Sequence, residues 1–364
     1  MKKVLLILLI FTMTVSAFAQ LTVTGTAPTV SGDNQFAVDT FNGLLGDAFD
    51  RVVIELNDMF GEIKYENPEK LIRAFGNSSV YSSHGATNRA YGGYNIFSVS
   101  FGAMAGVQLP VSPFDIMNEM DSLAESITEE GDVNFGFSPQ FLSAHIGLST
   151  SFLMKNLYLG VRVGYFNLPS LVDGLYFNNF VIGATANYQL IPKISLAGVI
   201  TWRGINLGTG LILQRSAAGI SVPLGGDISE PVDSSVTIKM DPEATLDFAI
   251  NTVTIPLEAI TAIKLVFLNI PFGLGVDLAF GKSTLSYGVD SSIDLVNLES
   301  SGFTQATSGN LAVSGGKSMS PSFFNLKLMT GIGFAFGPAY IDIPITYYFM
   351  NKGFNIGMTA GVSF

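Results

Sequence analysis

The sequence predicts an all-β membrane protein, an up-and-down antiparallel barrel of ten to fourteen transmembrane strands with an N-terminal helical plug or cap. Three observations predict it. Mean hydropathy is +0.42 and only 13% of residues are charged. Yet beyond the first twenty residues no run of about 18 apolar residues is long enough for a spanning helix. Apolar and small or polar residues alternate along much of the chain after Tyr91, the period of a strand with one greasy and one wet face. The chain also closes on such a strand, Phe354–Phe364, with Phe354, Ile356, Met358, Ala360, Val362 and Phe364 on one parity. Its length is near the roughly 9–11 residues that cross a bilayer as a tilted strand.

The first element is a leader. Lys2 and Lys3 precede an apolar run from Val4 to Val15, and Ala17-Phe18-Ala19 precedes Gln20. This is the pattern of a secretory signal peptide, residues 1–19, cut between Ala19 and Gln20. Losing two lysines takes the formal net charge from −11 to −13, an acidic balance that argues against nucleic acid as a partner. With no cysteine in 364 residues, disulfides and thiolate chemistry are excluded.

Residues 20–90 form the second unit. Phe41, Leu44, Leu45, Ala48, Phe49, Val52, Val53, Leu56, Met59 and Phe60 recur at spacings of three and four, with acids on the other face, so this stretch predicts an amphipathic helix. A second, short helix is expected to start at Asn67 and Pro68 and to carry Leu71, Ile72 and Phe75. Two placements suit the pair, a periplasmic position under the barrel rim or a plug in the lumen.

Residues 91–364 are the barrel. Ten strands are expected near 94–108, 140–154, 156–167, 176–190, 194–214, 245–266, 270–281, 323–335, 338–349 and 353–364. Tight turns at Lys155-Asn156, 191–193, Asn269 and Gly337-Pro338 alternate with longer links at 109–139, 168–175, 215–244 and 282–322, as short periplasmic turns alternate with external loops. The last turn, Asn351-Lys352-Gly353, then falls outside and returns Phe364 to the periplasmic end, where an assembly signal is read. Further hairpins, such as Leu285–Leu295 with Phe303–Val313, would raise the strand number without changing parity. The link 109–139 holds a short acidic helix, read as a solvated face.

Charges inside the strands test the reading. Leu157, Leu159, Val161 and Val163, or Phe272, Leu274, Val276, Leu278 and Phe280, define a lipid face. His145, Arg162, Arg203, Glu258, Lys264, Asp277, Lys327 and Asp342 all fall on the opposite parity. Arg or Lys facing lipid at mid-membrane would cost about 2–4 kcal/mol each, so these eight are the candidate lumen-lining residues. Arg162, Arg203 and Lys264 are expected to oppose Glu258, Asp277 and Asp342, in a salt-bridged interior or a channel wall.

Catalysis is not expected. His145 and Ser149 share a face but stand roughly 13 Å apart along a strand, too far for a hydrogen bond. His84, in Ser82-Ser83-His84-Gly85, reads as a solvated loop residue. No phosphate loop or metal-ligand spacing occurs, so neither cofactor nor metal is expected.

A helical N-terminal segment followed by the Gly/aromatic strand Tyr91-Gly-Gly-Tyr-Asn-Ile-Phe-Ser-Val-Ser-Phe101 resembles the long-chain fatty-acid transporter class of outer-membrane proteins. Ala74–Tyr81 and Thr254–Thr261 are similar to outer-membrane proteins of spirochaetes. The Asn-Pro-Ala signature of the transporter hatch is missing, and Gly76-Asn77-Ser78-Ser79 stands in a comparable place. The barrel pattern and the resemblance together imply a cell outer-membrane location and contact with outer-membrane lipid and the barrel-assembly machinery. The small-residue inward face beside a helical segment leads to passive transport of a small solute through a plugged or narrow lumen, hydrophobic if it follows the family. The alternative is a structural or surface-interaction protein, an adhesin or antigen, whose long external loops contact partners.

Overall fold

The computed structural model describes residues 21–61, 68–84, 96–109, 134–172, 174–197, 199–223, 228–231, 237–296 and 303–364. The expected leader with its Ala19–Gln20 junction, and the expected acidic helix between residues 110 and 133, lie outside them. In chain order the elements are β1 (Leu21–Thr26), β2 (Thr29–Ser31), α1 (Gln35–Gly61) and α2 (Pro68–Ser82). Then come β3 (Phe97–Gln108), β4 (Gly136–Ser149), β5 (Leu157–Val172), β6 (Leu175–Ile191), β7 (Ile194–Ala197) and β8 (Ile200–Pro223). They are followed by β9 (Ile228–Pro231), β10 (Thr237–Leu265), β11 (Leu268–Val296), β12 (Gln305–Thr307) and β13 (Gly309–Met319). The chain ends with β14 (Phe324–Phe336), β15 (Ala339–Tyr348) and β16 (Gly353–Ser363).

Ten of these strands close a ring. Antiparallel pairing runs β3–β4–β5–β6–β8–β10–β11–β14–β15–β16 and returns from β16 to β3. The seam is Gly353–Ser363 against Ser98–Gln108. Phe364 extends it, its amide donating to the Phe97 carbonyl at 2.9 Å while its own carbonyl accepts from Ile96 at 2.7 Å. Each strand of the ring thus has a neighbour on both sides, as a sheet must to span a bilayer, although the β4–β5 ladder covers only Ser143–Ser149 and Tyr158–Gly164. Among the described residues no helix is long and apolar enough to cross a membrane.

The outer surface carries the apolar parity. Leu159, Val161 and Val163 of β5, and Phe272, Leu274 and Phe280 of β11, are all exposed. Aromatic rings border the belt at both ends. Phe152, Phe267, Phe336 and Phe364 lie at the end with the tight turns; Phe137, Phe280, Phe323 and Phe349 lie at the other. From Leu268 to Phe280 is roughly 40 Å of strand, which at a tilt of about 40° gives a belt near 30 Å tall.

The two ends differ. At the turn end β10 passes to β11 through Val266 and Phe267, and β14 to β15 through Gly337 and Pro338. The β4–β5 connection, expected as a two-residue turn, occupies residues 150–156, with Leu153 and Met154 amides bonded to the Thr150 carbonyl. At the other end β10 and β11 continue past the belt. Beyond Phe280, β11 exchanges β14 for β13, Ser283–Ile293 pairing with Gly309–Met319. The expected Leu285–Val313 hairpin therefore exists, but it extends β11 outside the barrel and adds no pair to the ring.

Among the described residues, the elements before α2 sit at this loop end. β1 pairs with β13, β2 with β12, and α1 lies against β1 and β2, with Leu45 packed on Val30 and Leu295. α2 starts there too. Ile72 packs on Leu246, Leu285 and Tyr287, and Phe75 stacks on Phe248 at 4.3 Å. The helix then descends between the walls, with neighbours on β3, β4, β8, β10, β11 and β16. Among the described residues α2 thus lies within the ring and α1 at its loop end. Ile72 and Phe75 of α2 need apolar cover, and the extended strands of the loop end supply it.

Candidate functional site: the occupied lumen

A ten-stranded barrel is little wider than the eight-stranded ones whose interiors side chains fill, while a helix with ordinary side chains is about 10–12 Å across. The two fit here because both partners are trimmed. The inner half of α2 reads Ala74-Phe75-Gly76-Asn77-Ser78-Ser79-Val80-Tyr81-Ser82, and Ala74, Asn77, Ser78, Ser79, Val80, Tyr81 and Ser82 are fully buried. On the wall, Gly106 and Gly136 face the helix backbone, where a Cβ would stand 2.2 Å from the Ser78 oxygen and 2.1 Å from the Ala74 oxygen. No side chain fits at either position without moving the helix. Gly106→Leu should displace α2 while leaving the ring intact. Limited proteolysis of the folded protein checks this, with new cleavage between residues 68 and 84 expected in the variant only.

Polar groups tie helix to wall. The Asn77 side-chain amide donates to Gln108 at 2.8 Å, and its oxygen accepts from the Ser322 backbone at 2.6 Å. The Ser82 hydroxyl contacts Ser138 at 3.2 Å and accepts from Gln214 at 3.1 Å. Asn355 donates to the Tyr81 carbonyl at 2.8 Å, and Tyr81 stacks on Tyr348 with centroids 3.8 Å apart. At the C-terminal end Arg162 donates to the Ser83 carbonyl at 2.6 Å, where a cation also suits the helix dipole. Nearer the N-terminus, outside the belt, Lys317 sits 2.7 Å from Glu69 and holds its carboxyl below the usual range.

Beneath the helix end lies an ionic cluster. Register places Glu258, Gly275, Lys327 and Tyr348 side by side on β10, β11, β14 and β15. Gly275 leaves a gap across which the Lys327 ammonium reaches Glu258 at 2.6 Å, and it also meets Asp277 at 2.5 Å. The His84 Nε2 stands 2.9 Å from Asp277 and 3.3 Å from Lys327, and the Tyr348 hydroxyl donates to Asp277 at 3.2 Å. Asp277 and Lys327 are 0% and 1% exposed at their side chains. His84, Glu258 and Asp277 are close enough to surround a cation, and the Lys327 ammonium already stands among them as that positive charge.

The eight residues expected in the lumen therefore fall into three groups. Glu258, Asp277 and Lys327 form the cluster just described. His145 and Arg162 are cross-strand neighbours at mid-height, with His145 leaning over Gly160 to Thr185 at 3.2 Å. Arg203, Lys264 and Asp342 lie towards the turn end, Arg203 within electrostatic reach of Asp342 and Lys264 of Arg203 and Lys193. Arg162 donates to the helix, and Lys327 stands between Glu258 and Asp277. His84 is corrected: it is buried in the cluster, not a solvated loop residue. What the reading lacked was the helix that carries His84 inside.

Several inward polar atoms have no partner among the described residues, including both ends of the Gln140 and Asn206 amides and the hydroxyls of Thr252, Thr254 and Thr359. Buried polar groups without partners cost roughly 1–3 kcal/mol each unless water serves them. Such a lining suits a hydrated interior and is poorly matched to an apolar cargo.

A family model described as Lsa36-like matches residues 19–364. No curated protein matches the sequence. Among solved structures, the chain is similar to the translocator domain of the autotransporter NalP from Neisseria meningitidis, at 10% identity over 75% of this chain and 88% of that one, with a TM-score of 0.27. The beta domain of the Bordetella autotransporter Brka is 11% identical over 74% of this chain and all of that one (100%), with a TM-score of 0.27. A monoaromatic hydrocarbon channel, CymD, is 10% identical over 74% and 89%, at 0.24. At such identities no residue role transfers to this chain.

Proposed function

The chain belongs to the Lsa36-like family, and we propose that it serves in the bacterial outer membrane as a barrel closed at rest by α2, passing a small polar solute when that helix shifts. Family membership assigns no activity, so the lumen carries the proposal. The single supporting observation is that its filling is polar on both sides, with inward amides and hydroxyls left for water. The hydrophobic cargo implied by resemblance to the fatty-acid transporter class suits this lining less well, since Asn77 and Ser82 of the helix face Gln108, Ser138 and Gln214 of the wall. The turn end, with its short connections and Phe364, is assigned to the periplasm and the loop end to the medium. Liposomes loaded with neutral polar solutes of graded size test the reading. Slow, size-limited efflux supports it; efflux of hydrophobic probes alone, or of nothing under any condition, contradicts it.

The extended sheet favours a second reading, surface interaction. Asp33, Asp39, Asp47, Asp50, Asp241 and Asp290 are exposed there, so a partner would be basic and its binding weakened by salt.

The Phe364 carbonyl and amide complete the seam, and its ring stacks on Phe97 at 5.1 Å. Deleting Phe364 should reduce assembled barrel in cells far more than refolding into detergent, read as the heat-modifiable fraction in each case. Equal losses would reduce its role to seam stability.

A further inference from the structure

We infer that the protein holds the start of its mature N-terminal region, residues 21–61, on the opposite side of the membrane from its own C-terminus, with the barrel lumen as the route between them. The inference rests on the membrane placement proposed above but not on solute passage.

Two fixed points carry it. His84 stands inside the ring, enclosed by Asp277, Glu258 and Lys327 on three consecutive wall strands. Ile96 stands at the turn end, its amide bonded to Phe364 and its carbonyl accepting from Ser149. Eleven residues join these points. Fully extended they reach at most about 40 Å. That suffices to descend from the lumen to the turn-end mouth. It is too short to climb back to the loop-end rim, cross it and descend a belt near 30 Å tall. The outer route would also lay unpaired backbone groups in lipid, at several kcal/mol each. A sideways exit, even above the Ser143–Gly164 pair where the β4–β5 ladder ends, would lay the same unpaired backbone in lipid.

The other end of the region is equally placed. β1 pairs with the part of β13 that lies on Tyr287–Ser292, well past the Phe280 girdle. α1 is farther out still, resting on Val30 and Leu295. The N-terminal module is therefore displayed with the loops, and the barrel both anchors it and is closed by its stem. The acidic helix α1 becomes part of the outward surface, although the chain order alone would place it before the barrel, on the periplasmic side.

Absence of native cysteine makes the test direct. Gly43→Cys lies on α1, where a Cβ meets nothing within 4 Å. Met350→Cys marks the loop-end turn and Lys155→Cys the turn end, both exposed. Each variant, confirmed as folded by heat-modifiable mobility, is treated on intact cells with a membrane-impermeant maleimide and again after permeabilisation. The expected ratio of labelling is near one for Gly43→Cys and Met350→Cys and near zero for Lys155→Cys. Gly43→Cys behaving like Lys155→Cys overturns the inference. Were Met350→Cys protected and Lys155→Cys labelled, the assigned sidedness would fail, while threading would still be decided by which of the two Gly43→Cys follows.

Discussion

A variant lacking residues 21–84 should conduct ions in planar bilayers where the full-length protein is silent. The deletion removes Ala74–Ser83 from the lumen and leaves the ten-strand ring paired. What remains is a narrow bore lined by Ser98, Ser100, Gln108, Ser138, Asn355 and Thr359, all buried in the complete protein. A ring this small sits near the lower limit for an open aqueous path, far from the porins of about 16–18 strands, so the steps should be small but persistent. Silence from a variant that still shifts on boiling would mean the wall closes by itself and α2 is not the gate.

The second large effect is on stability. Lys327→Met should destabilise the barrel by about 3–5 kcal/mol, because it strands Asp277 and Glu258 without their cation in a buried site. The change would appear as a lower temperature for loss of the compact gel form. Replacing Asp277 by Asn and Glu258 by Gln in the same protein should recover part of the loss, since no uncompensated charge then remains. A Lys327→Met barrel as heat-resistant as the parent would show that water or a bound cation serves the acids, and the account of the cluster would fail.

The barrel was legible because strand periodicity is local. Alternation in Leu157–Val163 or Phe272–Phe280 needs no knowledge of neighbours, and parity sorted Arg162 and Asp277 from the lipid face before any pairing was known. The reach of β10 and β11 was not legible. A wall that leaves the membrane keeps its period of two, here because Leu246, Leu285 and Tyr287 turn inward to cover Ile72. The length of α2 was missed for a related reason. Gly76, Ser78 and Ser79 are poor helix formers in water, so the expected helix carried nothing past Phe75, but inside a narrow ring only such small residues let a helix pass Gly106 and Gly136.

The site was less legible than the fold because it is made across the chain. Glu258, Lys327 and His84 are far apart in sequence and meet only through the register of β10, β11 and β14 and the descent of α2. One signal was available. The polar stretch Ser82-Ser83-His84-Gly85, read as a solvated loop, stands just before the first barrel strand and carries one of the chain's two histidines.

The occupied lumen is tested most directly by a cross-link between helix and wall. Ser82 and Ser138 have hydroxyls 3.2 Å apart, within the range over which two cysteines can be joined once their Cβ atoms approach to about 3.8 Å. In a Ser82→Cys, Ser138→Cys protein, otherwise free of cysteine, oxidation should form the disulfide nearly quantitatively in the folded barrel. It should also abolish solute efflux from liposomes until a reductant is added. Failure to cross-link in a protein that retains heat-modifiable mobility would place α2 outside the lumen and contradict the account.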